Sequence, residues 1–356
     1  MRRSQPFVDW MKAIGLILIV FGHVAHASTV WIAPPIYIKQ FGVAFFVFAT
    51  GFTLAREVRP AWQVVYQRLF EVCLFGILCA LAISALGAAT GTGLQRSNYL
   101  PFVLGVNITI DAFPANPTTW YIGTYIHLLL LWALLLRRIA ITPRLVAGVF
   151  VAEIAVRAVL LSTAGPFVAY MALSNWASVL LLGMLYGTRH VGQPWPRLRF
   201  TAALTVFVAV WALAMRVASP VPTFPLMSFD MTAASSAMLV SIGVSTLYLT
   251  VTWLSYAALN GMAASRVVQL VARNSVIVFI VHMPLYYATA PWVNAITTAY
   301  WGRVAVRLLI CLVGLTFVSE GVHRLVAVPR LRDRLAAIVI QLAARRAAPR
   351  RRMREA

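Results

Sequence analysis

The sequence predicts an all-α, polytopic membrane protein with about ten transmembrane helices and both termini in the cytoplasm. Of its 356 residues, 61% are hydrophobic and only 11% are charged, whereas soluble domains are about half apolar and about a quarter charged. The formal net charge is +21, and the positive residues fall mainly on one side of the apolar segments. This composition excludes a water-soluble globule. It also argues against nucleic-acid binding, which needs a basic face on a soluble domain.

Segments apolar enough to cross a bilayer recur along the chain. A transmembrane helix needs about 20 mostly apolar residues. The connections between such segments are short except at 90–118 and 218–233. Lys39 and Gln40 interrupt the second segment, and Pro284 interrupts the ninth. The predicted spans are 11–31, 36–55, 69–89, 119–136, 145–163, 167–187, 200–217, 234–257, 275–291 and 304–326.

Positive charge is distributed asymmetrically across these spans. With the N-terminus in the cytoplasm, 24 of the 30 Lys and Arg residues lie on the cytoplasmic side, five lie at the outward ends, and Arg157 lies within a span. Cytoplasmic loops of membrane proteins carry the excess of Lys and Arg. We therefore expect an even number of spans, both termini inside, and a multi-pass location in the cell (inner) membrane.

The two ends of the chain carry further signals. Ala25-His26-Ala27 resembles a signal-peptidase site, but Asp9 and Lys12 are unusual in a secretory leader, so we expect the first span to be retained. At the other end, a basic tail at 329–356 follows the membrane domain at 1–328. Apolar residues recur in this tail at helical spacing, which predicts an amphipathic helix on the anionic inner leaflet and then a disordered basic end.

Ionisable side chains inside a span are costly and therefore mark candidate functional sites. Asp9, Lys12 and His23 form the clearest set. His23 follows Lys12 by eleven residues, which is three helical turns plus about 20°, so the two share a face and lie about 16 Å apart along the axis. Lys12 then lies at the cytoplasmic boundary, where an anionic group can be held, and Asp9 can pair with it. The structural alternative is that Lys12 snorkels to the interface and His23 is an interior histidine with a hydrogen bond.

Four short motifs, in order, resemble those of the acyltransferase family 3 membrane proteins. The segment 9–24 is similar to the first helix of that family, in which ten residues separate a basic residue from a histidine. The segments 45–52, 120–122 and 275–282 resemble three further motifs, and the resemblance extends over 9–290. Two positions depart from the pattern: Lys12 stands where Arg is commoner, and Ala49-Thr50-Gly51 stands where Ser-Gly is usual.

The resemblance implies O-acyl transfer from a cytoplasmic acyl-CoA to a hydroxyl of a cell-surface or lipid-linked glycan. Acetyl is the commonest acyl group in the family, so acetyl-CoA is the expected donor substrate, with no tightly bound cofactor and no metal. Histidine suits deprotonation of the acceptor because its ordinary pKa is about 6.5. The implied residues are His23 as general base with Lys12 and Asp9, Lys12 and Arg68 for CoA binding, and Trp120, Tyr121 and His282 for the acceptor.

Several of these side chains also have structural interpretations. Trp120 and Tyr121 begin a span on the outer side, where they fit an interfacial aromatic belt as well as stacking on a sugar. His282 belongs to the site by resemblance, although its role can be structural. His26, one turn beyond His23, either orients that histidine or faces the outer surface.

Two acid–base pairs within the spans are expected to be structural before they are functional. Glu153 and Arg157 are four residues apart in the fifth span, well placed to neutralise each other. Glu320 and His323 are three residues apart near the cytoplasmic end of the last span and can form a similar pair.

Two other functions remain open from the sequence. A proton-coupled transporter or flippase of sugars or lipid-linked glycans would also use His and Glu within its spans. Such proteins tend to have two matching halves, and the sequence shows no internal match. A non-catalytic membrane scaffold would leave the four ordered motifs as coincidence. The sequence specifies neither the glycan nor the oligomeric state.

Overall fold

The computed structural model describes residues 5–26, 38–89, 104–110, 120–188 and 232–338, with single residues at 202, 205, 206, 209 and 341. Within these residues the fold is all-helical and contains no β-strand. Seven helices are long and apolar enough to cross a membrane, and two shorter apolar helices lie at Lys39–Ala55 and Ala177–Thr188. The all-α, multi-pass architecture is therefore confirmed. The predicted span 200–217 falls largely outside the described residues, so the total of ten spans and the cytoplasmic termini stay predictions.

Most helices lie close to the predicted spans, but a short helix at Arg266–Arg273 lies between two of them. Three short irregular turns join or interrupt them: 3-10 turns at Leu136–Arg138 and Leu173–Asn175, and a π-helical segment at Leu309–Gly314. In chain order, the helices are α1 (Pro6–His26), α2 (Ile38–Ala55), α3 (Ala61–Ala89), α4 (Trp120–Leu134), α5 (Pro143–Thr163), α6 (Pro166–Met171), α7 (Ala177–Thr188), α8 (Ala234–Leu259), α9 (Arg266–Arg273), α10 (Ser275–Ile296), α11 (Tyr300–Leu308), α12 (Leu315–Leu325) and α13 (328–338).

The third helix begins eight residues before the predicted start of its span. The prediction of 69–89 left out the polar stretch before Leu69, but α3 starts directly after Pro60. Polar side chains such as Gln67 and Arg68 do not break a helix when their heads reach an aqueous boundary. Because the helix begins earlier, Arg68 lies on the same continuous helix as Glu71.

The sixth predicted span, 167–187, was wrong as a single helix. The chain leaves the helix at Ala172, where φ is −60° and ψ is 147°, passes through the 3-10 turn and continues as α7. Irregular backbone at membrane depth persists only where protein groups satisfy it. Here Arg157 Nη2 donates to the Asn175 carbonyl at 3.2 Å and Arg157 Nε donates to Asn175 Oδ1 at 2.7 Å.

Glycines allow the helices α1, α2 and α7 to pack closely together. A Cβ atom on Gly15 of α1 would lie 2.9 Å from the Gly42 carbonyl oxygen of α2. On the other side of α2, a Cβ on Gly51 would collide with the Leu180 carbonyl of α7, and one on Gly183 would collide with the Phe48 carbonyl. Small residues allow this close backbone approach between membrane helices, and they fix α1 against the rest of the bundle.

The turn between α2 and α3 is held by a charged contact. Arg59 Nε donates to Glu57 Oε1 at 2.8 Å, and Arg59 also reaches Gln67 on α3. The hydrogen bond from Arg59 lowers the pKa of the Glu57 carboxyl to about 2. The pair therefore remains charged over the whole physiological pH range.

The start of the basic tail packs against the membrane domain. Residues 328–338 form the helix α13, and the Tyr66 hydroxyl of α3 donates to the Arg332 carbonyl at 2.9 Å. Three apolar side chains of α13 remain partly exposed: Leu331 at 40%, Leu335 at 41% and Ile338 at 49%. They form an exposed apolar stripe, as predicted for a helix on the surface of the inner leaflet. The basic end of the tail lies outside the described residues.

Candidate active site

A cavity of about 280 Å³ lies among α1, α2, α3, α4 and α10. Its polar lining includes Lys12 of α1, Thr53 of α2, and Arg68 and Glu71 of α3. Arg68 Nη2 donates to Thr53 Oγ1 at 2.9 Å, which holds the guanidinium at the cavity wall. Thr50, which departs from the family pattern, also lines this cavity. The structure thus brings together the two basic residues that the sequence assigned to a CoA site.

Glu71 is a cavity residue that the sequence analysis missed. Its carboxylate is close enough to Lys12 to interact electrostatically, and it lies 3.5 Å from His323 Nε2. The predicted Glu320–His323 pair was therefore wrong. Glu320 instead pairs with Arg273 at 2.8 Å and with Arg324 at 3.2 Å. The available signal was the spacing of Arg68 and Glu71, which puts both on one face of a helix.

Two histidines from distant parts of the chain form a direct hydrogen bond. His23 Nδ1 of α1 and His282 Nε2 of α10 are 2.8 Å apart, and the two rings are nearly parallel. His282 is fully buried, and His23 is half-buried. The second nitrogen of His282, Nδ1, is 2.7 Å from the Phe279 carbonyl oxygen and 3.2 Å from the Val278 carbonyl oxygen.

These contacts fix the proton positions of a neutral pair. A carbonyl oxygen only accepts, so His282 Nδ1 must be the donor towards Phe279, and Nε2 of the neutral ring then carries a lone pair. His23 Nδ1 must therefore donate to His282 Nε2. The neutral His23 ring has its own lone pair on Nε2 as a result, and this nitrogen is the one that can accept a proton.

The cavity and the histidine pair are neighbours but are not continuous. On α10 the cavity lining extends from Ser275 to Ile280, and His282 follows within the next turn. On α1 only Lys12 lines the cavity, and His23 lies about 16 Å further along that helix. Lys12 therefore faces the cavity, whereas His23 contacts His282 outside the cavity.

The two aromatic residues predicted for the acceptor lie in different surroundings. Trp120 packs against Tyr170, with ring centroids 4.8 Å apart, and against Trp176. Tyr121 lines the same cavity as Lys12, and its ring centroid is 5.4 Å from that of Phe279. Tyr121 thus lines the cavity that contains Lys12 and Arg68, the residues predicted to bind the acyl-CoA donor. Trp120 instead belongs to a packed aromatic cluster.

Two further predicted residues lie at the ends of α1. Asp9 is in the first turn of α1 and contributes an electrostatic interaction to Lys12, although it is not among the cavity-lining residues. The side chain of His26, at the other end of α1, lies outside the described residues.

Glu153 and Arg157 form the ion pair that the sequence predicts. Arg157 Nη2 and Glu153 Oε1 are 2.6 Å apart, and both side chains are fully buried. Ser245 of α8 donates to Glu153 at 2.7 Å, and the Ser178 backbone N–H of α7 donates to it at 2.9 Å. The hydrogen bonds of the pair therefore connect α5, α7 and α8 rather than facing the cavity.

Comparison with known proteins assigns the family. The family model of acyltransferase family 3, described as an acyltransferase domain, matches residues 5–340, nearly the whole chain. No curated protein and no solved structure gives a significant match. The matched region contains the cavity, the histidine pair and all seven long apolar helices. The chain therefore belongs to the acyltransferase 3 family and is a multi-pass membrane acyltransferase.

Proposed function

We propose that this protein transfers an acyl group, acetyl by preference, from cytoplasmic acyl-CoA to a hydroxyl of a cell-surface or lipid-linked glycan. One observation carries the proposal. The hydrogen bond between His23 and His282, anchored on the Phe279 carbonyl, leaves the lone pair of His23 on Nε2, and the pair neighbours a cavity lined by basic residues. Such a group is what removal of a proton from an acceptor hydroxyl requires.

The basic residues of the cavity support an anionic donor. Lys12 and Arg68 line the same cavity, and CoA carries several phosphate charges that such residues bind. The excess of Arg on the predicted cytoplasmic side would also raise the local concentration of a polyanion. In this proposal CoA enters from the side where α1 and α3 begin, with the acyl thioester leading towards the histidines.

The proposed reaction is a single displacement at the thioester carbon. The acceptor oxygen attacks the carbonyl carbon while His23 Nε2 takes the hydroxyl proton. The new C–O bond forms, the C–S bond breaks, and CoA leaves as a thiolate that recovers the proton from His23. His282 accepts a hydrogen bond from His23 throughout and so stabilises the imidazolium, in the way an orienting group serves other catalytic histidines.

The proposal includes a topology. Ten spans with both termini in the cytoplasm of the inner membrane would put Lys12 at the cytoplasmic boundary and His23 deeper in the bilayer. The donor would then approach from inside and a surface glycan from outside. His23 would lie between the two compartments, where acyl transfer across the membrane has to occur.

Reconstituted protein with radiolabelled acetyl-CoA tests this function. Vesicles that contain the purified protein and a glycan fraction from a strain lacking the gene should show label in the glycan and release of free CoA in equal amounts. Proton-driven uptake of a glycan without acyl transfer would instead support the transporter alternative. Absence of both label transfer and CoA release would contradict the proposed acyltransferase reaction.

A further inference from the structure

Phe279 lies between the cavity and the histidine pair. Its side chain lines the cavity, and its ring centroid is 6.0 Å from that of His282. Its backbone carbonyl accepts the hydrogen bond from His282 Nδ1 at 2.7 Å. The same residue therefore lines the cavity with its side chain and holds His282 with its backbone carbonyl.

Tyr121 packs against Phe279 in the wall of the same cavity. The rings of Tyr121 and Phe279 meet edge to face, with an interplanar angle of 69° and centroids 5.4 Å apart. Tyr121 also stacks on Tyr125, another cavity residue, with centroids 6.1 Å apart. Aromatic contacts of this kind are directional, so the rings of Tyr121 and Phe279 pack together in the cavity wall.

In the proposed function, a donor that enters through the cavity has to present its acyl group to His23, which lies beyond Phe279 and its ring neighbour His282. The acyl end of acyl-CoA leads, because the phosphates remain with the basic residues Lys12 and Arg68. The thioester carbon must reach an acceptor hydroxyl that is within hydrogen-bond distance of His23 Nε2. The acyl group is therefore the part of the donor that must pass between Phe279 and Tyr121.

We propose that the Phe279–Tyr121 ring pair is a size-selective aperture that limits the donor to short acyl groups, with Phe279 as the residue that sets acyl-chain specificity. This inference rests on the proposed function. An acetyl group presents little bulk to two rings in contact, whereas each further methylene has to displace one of them.

A competition experiment with purified protein tests the aperture. Acetyl-CoA and butyryl-CoA are supplied together, and the ratio of butyryl to acetyl transfer is measured by mass spectrometry, so that the amount of folded protein cancels. Phe279→Ala should raise this ratio about tenfold, the discrimination that one or two methylenes give in an apolar pocket. Phe279→Leu should raise it less. Both variants keep the backbone carbonyl that holds His282.

Phe46→Ala is the matched control. Phe46 lines the same cavity, and among the described residues its ring makes no contact with that of His282. Its removal should leave the ratio unchanged. An equal rise in Phe46→Ala, or an unchanged ratio in Phe279→Ala, would overturn the aperture. If Phe279→Ala gives no product, the ratio in Phe279→Leu decides.

The outcomes separate the inference from the function on which it rests. Wild-type transfer from acetyl-CoA with an unaltered ratio in the Phe279 variants overturns only the aperture. A wild-type protein that transfers neither acyl group overturns the proposed function as well. Phe279→Trp adds a test in the opposite sense, because a larger ring should reduce even acetyl transfer.

Discussion

At the scale of single residues, His282 determines which nitrogen of His23 can act as a base. Among the described residues, His282 Nδ1 is within hydrogen-bond distance of two backbone carbonyl oxygens, and a carbonyl oxygen can only accept. The proton position on His23 follows from that of its partner through the 2.8 Å contact. A residue 259 positions away in the chain thus orients the proposed base.

His282 is therefore a positioning residue, and its removal should reduce turnover without abolishing donor binding. We expect His282→Ala to lower kcat by about 100-fold, at the lower end of what a correctly placed acid or base contributes. The KM for acyl-CoA should change little. His282→Gln offers Oε1 as an acceptor for His23 Nδ1 and should recover part of kcat. Equal losses in the Ala and Gln variants would show that His282 acts only by packing.

Lys12 and Glu71 should affect the donor in opposite directions. Both line the cavity, and in the proposed function the positive side chain would attract the phosphates of CoA while the negative one would repel them. Lys12→Ala should raise the KM for acetyl-CoA about tenfold, the loss of one charge-assisted contact, and Glu71→Gln should lower it. Steady-state kinetics at fixed ionic strength measure both effects. Lys39→Ala removes a positive charge elsewhere and should leave this KM unaltered; a shift in the same direction for all three variants would contradict the assignment.

At the scale of elements, the buried ion pair explains how a broken helix persists inside the bundle. Arg157 donates to both the side chain and the backbone carbonyl of Asn175, in the turn that precedes α7. Glu153 accepts from the backbone at the start of α7 and from Ser245 of α8. The pair thus replaces the helical hydrogen bonds that the turn lacks.

Removal of one partner of this ion pair should destabilise the folded protein more than removal of both partners. Arg157→Met leaves a buried carboxylate uncompensated, which costs about 3–5 kcal/mol. The double variant Glu153→Met/Arg157→Met removes both charges and should recover part of that loss. Thermal unfolding in detergent, followed for the single and double variants, measures the difference. A double variant less stable than either single variant would mean that the pair itself, rather than its neutrality, stabilises the turn.

At the scale of the whole molecule, the sequence predicted what depends on local composition. Apolar length defines spans, so the seven long apolar helices lie close to predicted segments, whereas the short, charged α9 lies between two of them. The break at Ala172 was missed because apolar residues continue on both sides, and the contacts that stabilise it come from residues distant in sequence, such as Arg157 and Thr124. The roles of Glu71 and Phe279 were missed for a related reason: each depends on contacts between helices that are far apart in sequence.

The predicted membrane topology is also a property of the whole molecule. If both termini are cytoplasmic, a fluorescent protein fused after Ala356 should be fluorescent, and an alkaline phosphatase fused there should be inactive. The phosphatase fused within 218–233 should be active, because that loop is predicted to face outwards. An active phosphatase at the C-terminus would contradict an even number of spans and would move the basic tail to the other side.

The most direct measurement for the whole account is acetyl transfer by His23→Ala. Wild type and variant, reconstituted at equal amounts, receive radiolabelled acetyl-CoA and the glycan fraction, and retention of CoA binding shows that the variant is folded. The account predicts that the variant binds CoA as wild type does, yet puts no label into the glycan above background. Wild-type rates of labelling by His23→Ala would contradict the assignment of His23 as the base.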